Sequence, residues 1–275
     1  MMATGVFMSS FKTIAFATSL MTPLMLMSAP SAHAEGLSFS FGGMAVIAPK
    51  YEGSKSYKAI GFPLAIPHSA SDAETSSFGS RIRFKGSDDI RFNLLGADGF
   101  EFGPVAGYRG GRKQSDGDLL GGLGDVDGGL VLGGYGAYTT NGFTFDASYV
   151  DQLTGDDTGG QLKLGASTMI ALSDAVEVKA GIGATYSSND YMDTFFGVSS
   201  AQSGTSTASL APYDPSAGFK DVNFSLSTDI ALAPKWTMKL GGKYSRLIGD
   251  AADSPVIETK NQFTGSIGLL YKFGN

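Results

Sequence analysis

Residues 263–273 read FTGSIGLLYKF, and the spacing of their apolar side chains decides the fold class. Phe263, Gly265, Ile267, Leu269, Tyr271 and Phe273 share one parity, while Thr264, Ser266, Gly268 and Lys272 fall on the other, with Leu270 the one apolar intruder. A period of two places alternate side chains on opposite faces of a β-strand. A strand against a protein core and a strand against lipid carry this same alternation, so the class of protein turns on what the apolar face touches.

The rest of the 275-residue chain narrows the choice. It has no cysteine, 17% charged residues and 11% aromatics, which excludes a disulfide scaffold and a disordered chain. Residues 1–34 hold no acid and a single base, Lys12, then an apolar stretch from Ile14 to Met27 and the small-x-small pattern Ala32-His33-Ala34. This pattern predicts a secretory signal peptide over 1–34 with cleavage near Ala34. A membrane anchor fits less well, because Thr18, Ser19, Thr22 and Pro23 interrupt the stretch and a bilayer span needs about 20 apolar residues. Without residues 1–34 the chain keeps 20 − 1 = 19 bases against 26 acids, a net charge of −7 that disfavours a nucleic-acid partner. No later stretch resembles a transmembrane helix, which leaves a soluble exported protein or a β-barrel over 35–275.

Period-two alternation predicts about twelve strands, near 37–47, 57–67, 77–85, 90–96, 99–109, 126–139, 142–152, 160–171, 175–187, 217–231, 235–247 and 261–273. Aromatics sit near strand ends on the apolar faces (Phe143, Tyr149, Tyr186, Trp236, Tyr244, Tyr271, Phe273), as in the interfacial girdles of a lipid-facing wall. Tight turns at Thr140-Asn141-Gly142, Ser173-Asp174 and Ala233-Pro234-Lys235 alternate with longer polar loops, the longest covering about 188–216. Short turns at one rim, long loops at the other and an even strand number predict an antiparallel transmembrane β-barrel with short periplasmic turns and longer extracellular loops. Closure pairs 261–273 with LSFSFGGMAVI (37–47) and leaves no open edge in hydrocarbon. Pro63 and Pro67 predict a bulged or short second strand.

The polar faces place Arg81, Arg83, Lys85, Arg91, Lys163, Lys179, Lys239 and Lys243 inside the barrel with Asp146, Glu177, Asp221 and Asp229. At about twelve strands the lumen is either a narrow wet channel or filled by paired charges. Catalysis has little to work with. A Ser-His-Asp mechanism needs an imidazole base, and once His33 leaves with the signal only His68 remains, in a polar stretch of the periplasmic rim. One histidine and no cysteine also disfavour a zinc site. The segment GGLGDVDGG (121–129) fits a calcium-binding repeat poorly, since it has no tandem copy to complete the coordination. GGYGAY (133–138) lacks the following helix that a phosphate site needs. No cofactor is expected.

Several stretches are shared with one family. PKYEGSKSYKAIGFPLAIP (49–67), LLGGLGDVDGG (119–129), NDYMDTFFGVSSAQS (189–203), YDPSAGFKDV (213–222) and YSRLIGDAADSPVIETKNQFTGSIGLLYKF (244–273) resemble the MipA/OmpV family of MltA-interacting outer-membrane proteins. The most specific positions are Tyr51, Glu52, Gly53 and Ser54, then Phe196 and Gly197, then Asp250, Ser254 and Pro255; none is a catalytic signature. The resemblance implies an outer-membrane scaffold between a lytic transglycosylase and a murein synthase. Because the periplasmic turns are short, the strand ends and 68–76, HSASDAETS, would have to supply the docking surface. Two alternatives stay open: a small-solute channel through the lumen, and an adhesin or antigen acting through loops 110–125, 188–216 and 248–260.

Overall fold

The computed structural model describes residues 38–68, 82–156, 158–173 and 176–274. The expected 1–34 signal, most of the 68–76 stretch, Arg81 and Asp174 lie outside the described residues. The strands are β1 (Ser38–Pro49), β2 (Tyr57–His68), β3 (Ile82–Gly86), β4 (Asp89–Phe92), β5 (Leu95–Ala97), β6 (Phe100–Arg109) and β7 (Gly129–Thr140). They continue as β8 (Phe143–Gln152), β9 (Gln161–Ser173), β10 (Val176–Ser187), β11 (Gly218–Ala233), β12 (Trp236–Leu247) and β13 (Asn261–Phe273).

All thirteen belong to one antiparallel sheet of order β2-β1-β13-β12-β11-β10-β9-β8-β7-β6-β4-β3, with β5 on β6. The predicted strand at 90–96 is broken at Asn93-Leu94 into β4 and β5, both of which pair β6, so twelve lanes contain thirteen strands. The strand expected from 126 begins at Gly129, because Val126 instead bridges Arg112 in the preceding loop.

Strand β13 answers the question posed by FTGSIGLLYKF. Phe263, Ile267, Leu269 and Phe273 are 56%, 54%, 43% and 41% exposed, whereas Gln262 and Leu270 on the opposite face are buried. The apolar face has no protein core against it, and Leu270 is apolar because it points inward. Phe41, Phe102, Leu132, Phe145, Ile182 and Phe224 are likewise exposed, while Asp89, Arg91, Asp146 and Asp221 are buried. An exterior of aromatic and aliphatic side chains around a charged interior is the lipid-facing arrangement of a transmembrane barrel. Rings cluster at both ends. Phe39, Trp236 and Tyr271 with Phe273 form one girdle, and Tyr186 with Phe219 and Tyr244 with Phe263 form the other. Ten steps along β13 from Phe263 to Phe273, at ~3.4 Å each and a tilt of ~40°, separate the girdles by ~26 Å, the height of an outer-membrane apolar band.

The first and last strands pair, from Phe39 with Phe273 to Ile47 with Gly265. Among the described residues the sheet path nevertheless ends at β2 and β3, with no register joining them, so the expectation of an edge-free ring is corrected at that seam. The expectation of a short or bulged second strand is corrected as well. β2 runs twelve residues in unbroken register with β1. Pro63 and Pro67 have the same parity, so both lack an N–H on the same side, the one turned away from β1, where a proline costs no ladder bond.

Tight turns gather at one rim: Asp98-Gly99 and Asn141-Gly142, each with two residues at positive φ, and 234–235. Asn-Gly supplies the left-handed pair a two-residue hairpin needs. At the other rim lie 50–56, 110–128, 153–160, 188–217 and 248–260, with one tight turn, Ser87-Asp88, whose Ser87 carbonyl accepts from Tyr108 N at 2.7 Å. The stretch expected as one long loop carries two helices, α1 (Asn189–Phe196) and α2 (Ser200–Thr205), and 248–260 carries α3 (Gly249–Asp253).

Candidate functional site

The long connections fold over their rim as a cap, and the family-motif positions meet there. Local sequence starts its helices. The Ser188 hydroxyl accepts from Tyr191 N at 3.3 Å, and Ser199 with Gln202 forms a reciprocal capping box, a signal legible as S-x-x-Q. Gly197 ends α1, its N–H donating to Met192 and Asp193 carbonyls. Helix α1 then buries Tyr191, Met192, Phe195 and Phe196 against Leu247, Ala251 and Ala252.

Tyr51 packs with Leu120, Leu123, Val198 and Val256, and its hydroxyl donates to Val256 O at 3.2 Å. Burial, then the Glu258 charge, push its phenol above the ordinary range, so it stays a donor. Gly53 lies at φ +96°; its N–H donates to Gln262 Oε1 at 3.1 Å, and its carbonyl accepts from Glu258 N at 2.7 Å and Thr259 N at 3.0 Å. Ser54, fully buried, accepts from Ser56 N at 3.0 Å. The Ser254 hydroxyl donates to the Phe196 carbonyl, and Asp250 accepts from Ser216 N at 2.8 Å. Pro255 follows Ser254 half-buried.

Glu52 reaches beneath the cap. It accepts from Lys220 Nζ at 2.6 Å and from the Tyr191 hydroxyl at 3.1 Å, a phenol kept protonated by burial and by the Glu52 charge. Lys220 owes its place to a bulge: Thr185 pairs Asp221 while Tyr186 pairs Phe219. The extra residue turns both Lys220 and Asp221 inward, 2.7 Å apart and each 4% exposed. Arg109 donates to Thr158 Oγ1 and Gly159 O at 2.7 Å and lies 5.0 Å from the Tyr191 ring centroid. Arg112, 2% exposed, donates to Phe195 O at 2.9 Å. Sequence alternation missed Lys220, Arg109 and Arg112, because each sits at a strand end or in a loop where period two has lapsed.

Below this layer the charges of β3–β9 span the interior. Arg91 donates to Asp89 at 2.7 and 3.0 Å and to Asp146 at 2.7 Å. Lys85 reaches Asp146 and Lys163 reaches Asp88, both at 2.7 Å, and Arg83 pairs Glu101. Val105, Val131, Tyr135 and Val150 pack beside them. Lys239 pairs Asp229 nearer the turn rim. Glu177, Lys179 and Lys243 join none of these pairs. Among the described residues no group of three or more His, Cys, Asp or Glu is placed to hold a metal ion.

The family model described as "MltA-interacting protein MipA" matches residues 41–273. The chain is 25% identical over 240 residues to outer membrane protein Omp26La of Vibrio anguillarum, covering 73% of this chain and 86% of that one. Among solved structures, the NanC porin aligns with a TM-score of 0.39 at 9% identity, over 86% of this chain and 100% of that one. The outer-membrane channel DcaP of Acinetobacter baumannii aligns with a TM-score of 0.38 at 9% identity, over 86% and 96%.

Proposed function

We propose, from the premise that the chain belongs to the family of the MltA-interacting protein MipA, that this outer-membrane barrel is a non-enzymatic scaffold holding a lytic transglycosylase and a murein synthase at the periplasmic face. Export uses residues 1–34 as a cleaved signal. The observation that carries the reading is the use made of the motif residues. Tyr51, Gly53, Ser54, Phe196, Gly197 and Ser254 build the cap through burial and hydrogen bonds, and Glu52 is bound by Lys220 and Tyr191, so none of these groups is free for a reaction. A standard interface needs ~800 Å² per partner. The two-residue turns offer little of it, and we place the remainder on 68–76.

The test is a pull-down from mildly solubilised outer membranes with the tagged protein, beside a copy whose 68–76 stretch is replaced by a neutral linker and whose folding is checked by heat-modifiable gel migration. Co-purification of both murein enzymes with the native chain, and their loss with the linker copy, is the expected result. Absence of both enzymes from the native pull-down removes the scaffold reading. A second reading, surface recognition through the loop rim, is favoured by the packing of α1 and α3 into one platform. Its test is cell binding after replacement of the turn 206–209, where Thr207 and Ser209 are exposed. The channel alternative is opposed by the ion pairs across β3–β9, and the expected record in planar bilayers is a silent barrel.

A further inference from the structure

Followed along β11 from cap to turns, the inward side chains pass from sealed to open. Lys220 and Asp221 are 4% exposed, Asn223 and Ser225 are half-buried, and Ser227 and Asp229 are exposed. Among the described residues, the inner wall of β10, β11 and β12 therefore bounds a vestibule closed at the cap and open toward the turn rim.

Two rows of side chains cross its wall. In one register Lys179, Ser227 and Gly241 are neighbours on β10, β11 and β12; in the next, Gly181, Ser225 and Lys243. The order reverses from row to row, so the lysines flank the serines diagonally and a glycine stands across from each lysine. The glycines keep the hydroxyl side of the wall clear, since a Cβ on Gly181 would lie 3.0 Å from Ser225 Oγ and one on Gly241 2.6 Å from Ser266 Oγ. Two strand spacings and a two-residue offset put the lysine Cα atoms ~12 Å apart, and side chains of ~6 Å bring both ammonium groups to one ligand in front of the serines.

These lysines are also the unmatched ones. Arg83, Lys85, Arg91, Lys163 and Lys239 each touch a carboxylate, whereas Lys179 and Lys243 have no hydrogen-bond or ion-pair partner among the described residues. The charges acting on Lys179 are Lys85, Arg83, Asp146 and Arg91, and those on Lys243 are Asp221, Lys220, Lys163 and Asp88. The carboxylates in both sets are committed: Asp146 to Lys85 and Arg91, Asp221 to Lys220, Asp88 to Lys163. Ammonium groups in a confined lumen need a counter-charge, and hydroxyl donors beside them suit the acceptor oxygens of an anion. We propose that this vestibule is a binding site for a small oxyanion, held between Lys179 and Lys243 on the hydroxyl of Ser227 and on that of Ser225, which exchanges its long 3.5 Å bond to the Gly181 carbonyl for the anion. Glu177, facing Asp229 across β10 and β11, lies nearer the mouth and works against entry.

The test is titration calorimetry of the protein purified from outer membranes, with inorganic phosphate as probe and ionic strength held constant with chloride. Saturable phosphate binding is expected, at least tenfold weaker in the Lys179→Gln/Lys243→Gln double variant, several-fold weaker in each single variant and in Ser227→Ala, and tighter in Glu177→Gln. Lys272→Gln, at the turn rim, is expected to bind as the native chain does. Heat-modifiable migration establishes that each variant is folded, and the single variants stand in if the double one is not. No saturable phosphate binding by the native chain, or equal binding by folded lysine variants, overturns the proposal.

Discussion

Gly53 and Lys220 show how single residues hold the cap. At φ +96° a side chain on residue 53 is strained, and its Cβ would lie 2.3 Å from Ile257 Cγ2, so Gly53→Ala adds a clash to an unfavourable backbone. The expected loss is ~2–4 kcal/mol, read from the denaturant midpoint of tryptophan fluorescence at Trp236. Lys220→Met strands Glu52 and Asp221 without their cation, a change costing ~3–5 kcal/mol when a buried pair loses one partner. The double variant with Glu52→Gln is expected to recover part of that loss, which a thermodynamic cycle measures. Glu258 supplies a pH dependence. Burial opposes its ionisation, but hydrogen bonds from the Lys55 side chain and backbone overcome it and hold the carboxyl below its ordinary value. A group whose pKa is lower folded than unfolded stabilises above its unfolded value, ~4.3 for Glu, and loses that contribution as pH falls through the folded value. Amide protection at Thr259, whose N–H binds the Gly53 carbonyl, is therefore expected to stay level from about pH 8 to about 5 and to fall below about 4, once intrinsic exchange is corrected.

At the scale of the strand, the lipid-facing alternation makes a directional prediction. Ile267 lies mid-strand on the outer face of β13, and an arginine there is expected to cost ~2–4 kcal/mol near the bilayer midplane. The same replacement at Phe273, on the same outer face at the strand end, is expected to cost less than at Ile267, because the cost of an arginine falls toward the interface; folding yield into vesicles compares the two. Period two made β13 and β12 legible because one face meets hydrocarbon and the other water over many residues. It misread 90–96, where the wall breaks at Asn93-Leu94, and it passed over Lys220, whose inward turn comes from a bulge that two adjacent polar residues do not announce. The motif stretches marked which loops matter, and Ser188 and Ser199 carried readable caps, yet the contacts of Glu52 with residues 191 and 220 depend on where distant strands lie around the ring, and no local pattern encodes that.

The whole molecule joins an exterior without a protein core to an interior whose charges are largely matched, and a cap stitched from connections far apart in the chain. Tyr51 donates to residue 256, and Gly53 N to residue 262, separations of 205 and 209 residues. Such contacts close large loops and form late. They need β13 seated beside β1, since 50–56 leaves β1 and 254–262 leads into β13. A ribosome-stalled or prematurely ended chain can hold every strand up to β12, and the 50–56 half of this junction, and still lack the 254–262 half that covers it. The finished cap is in effect a receipt for complete synthesis and insertion, and a protease that reads exposed 50–56 backbone can sort whole copies from partial ones by that feature alone.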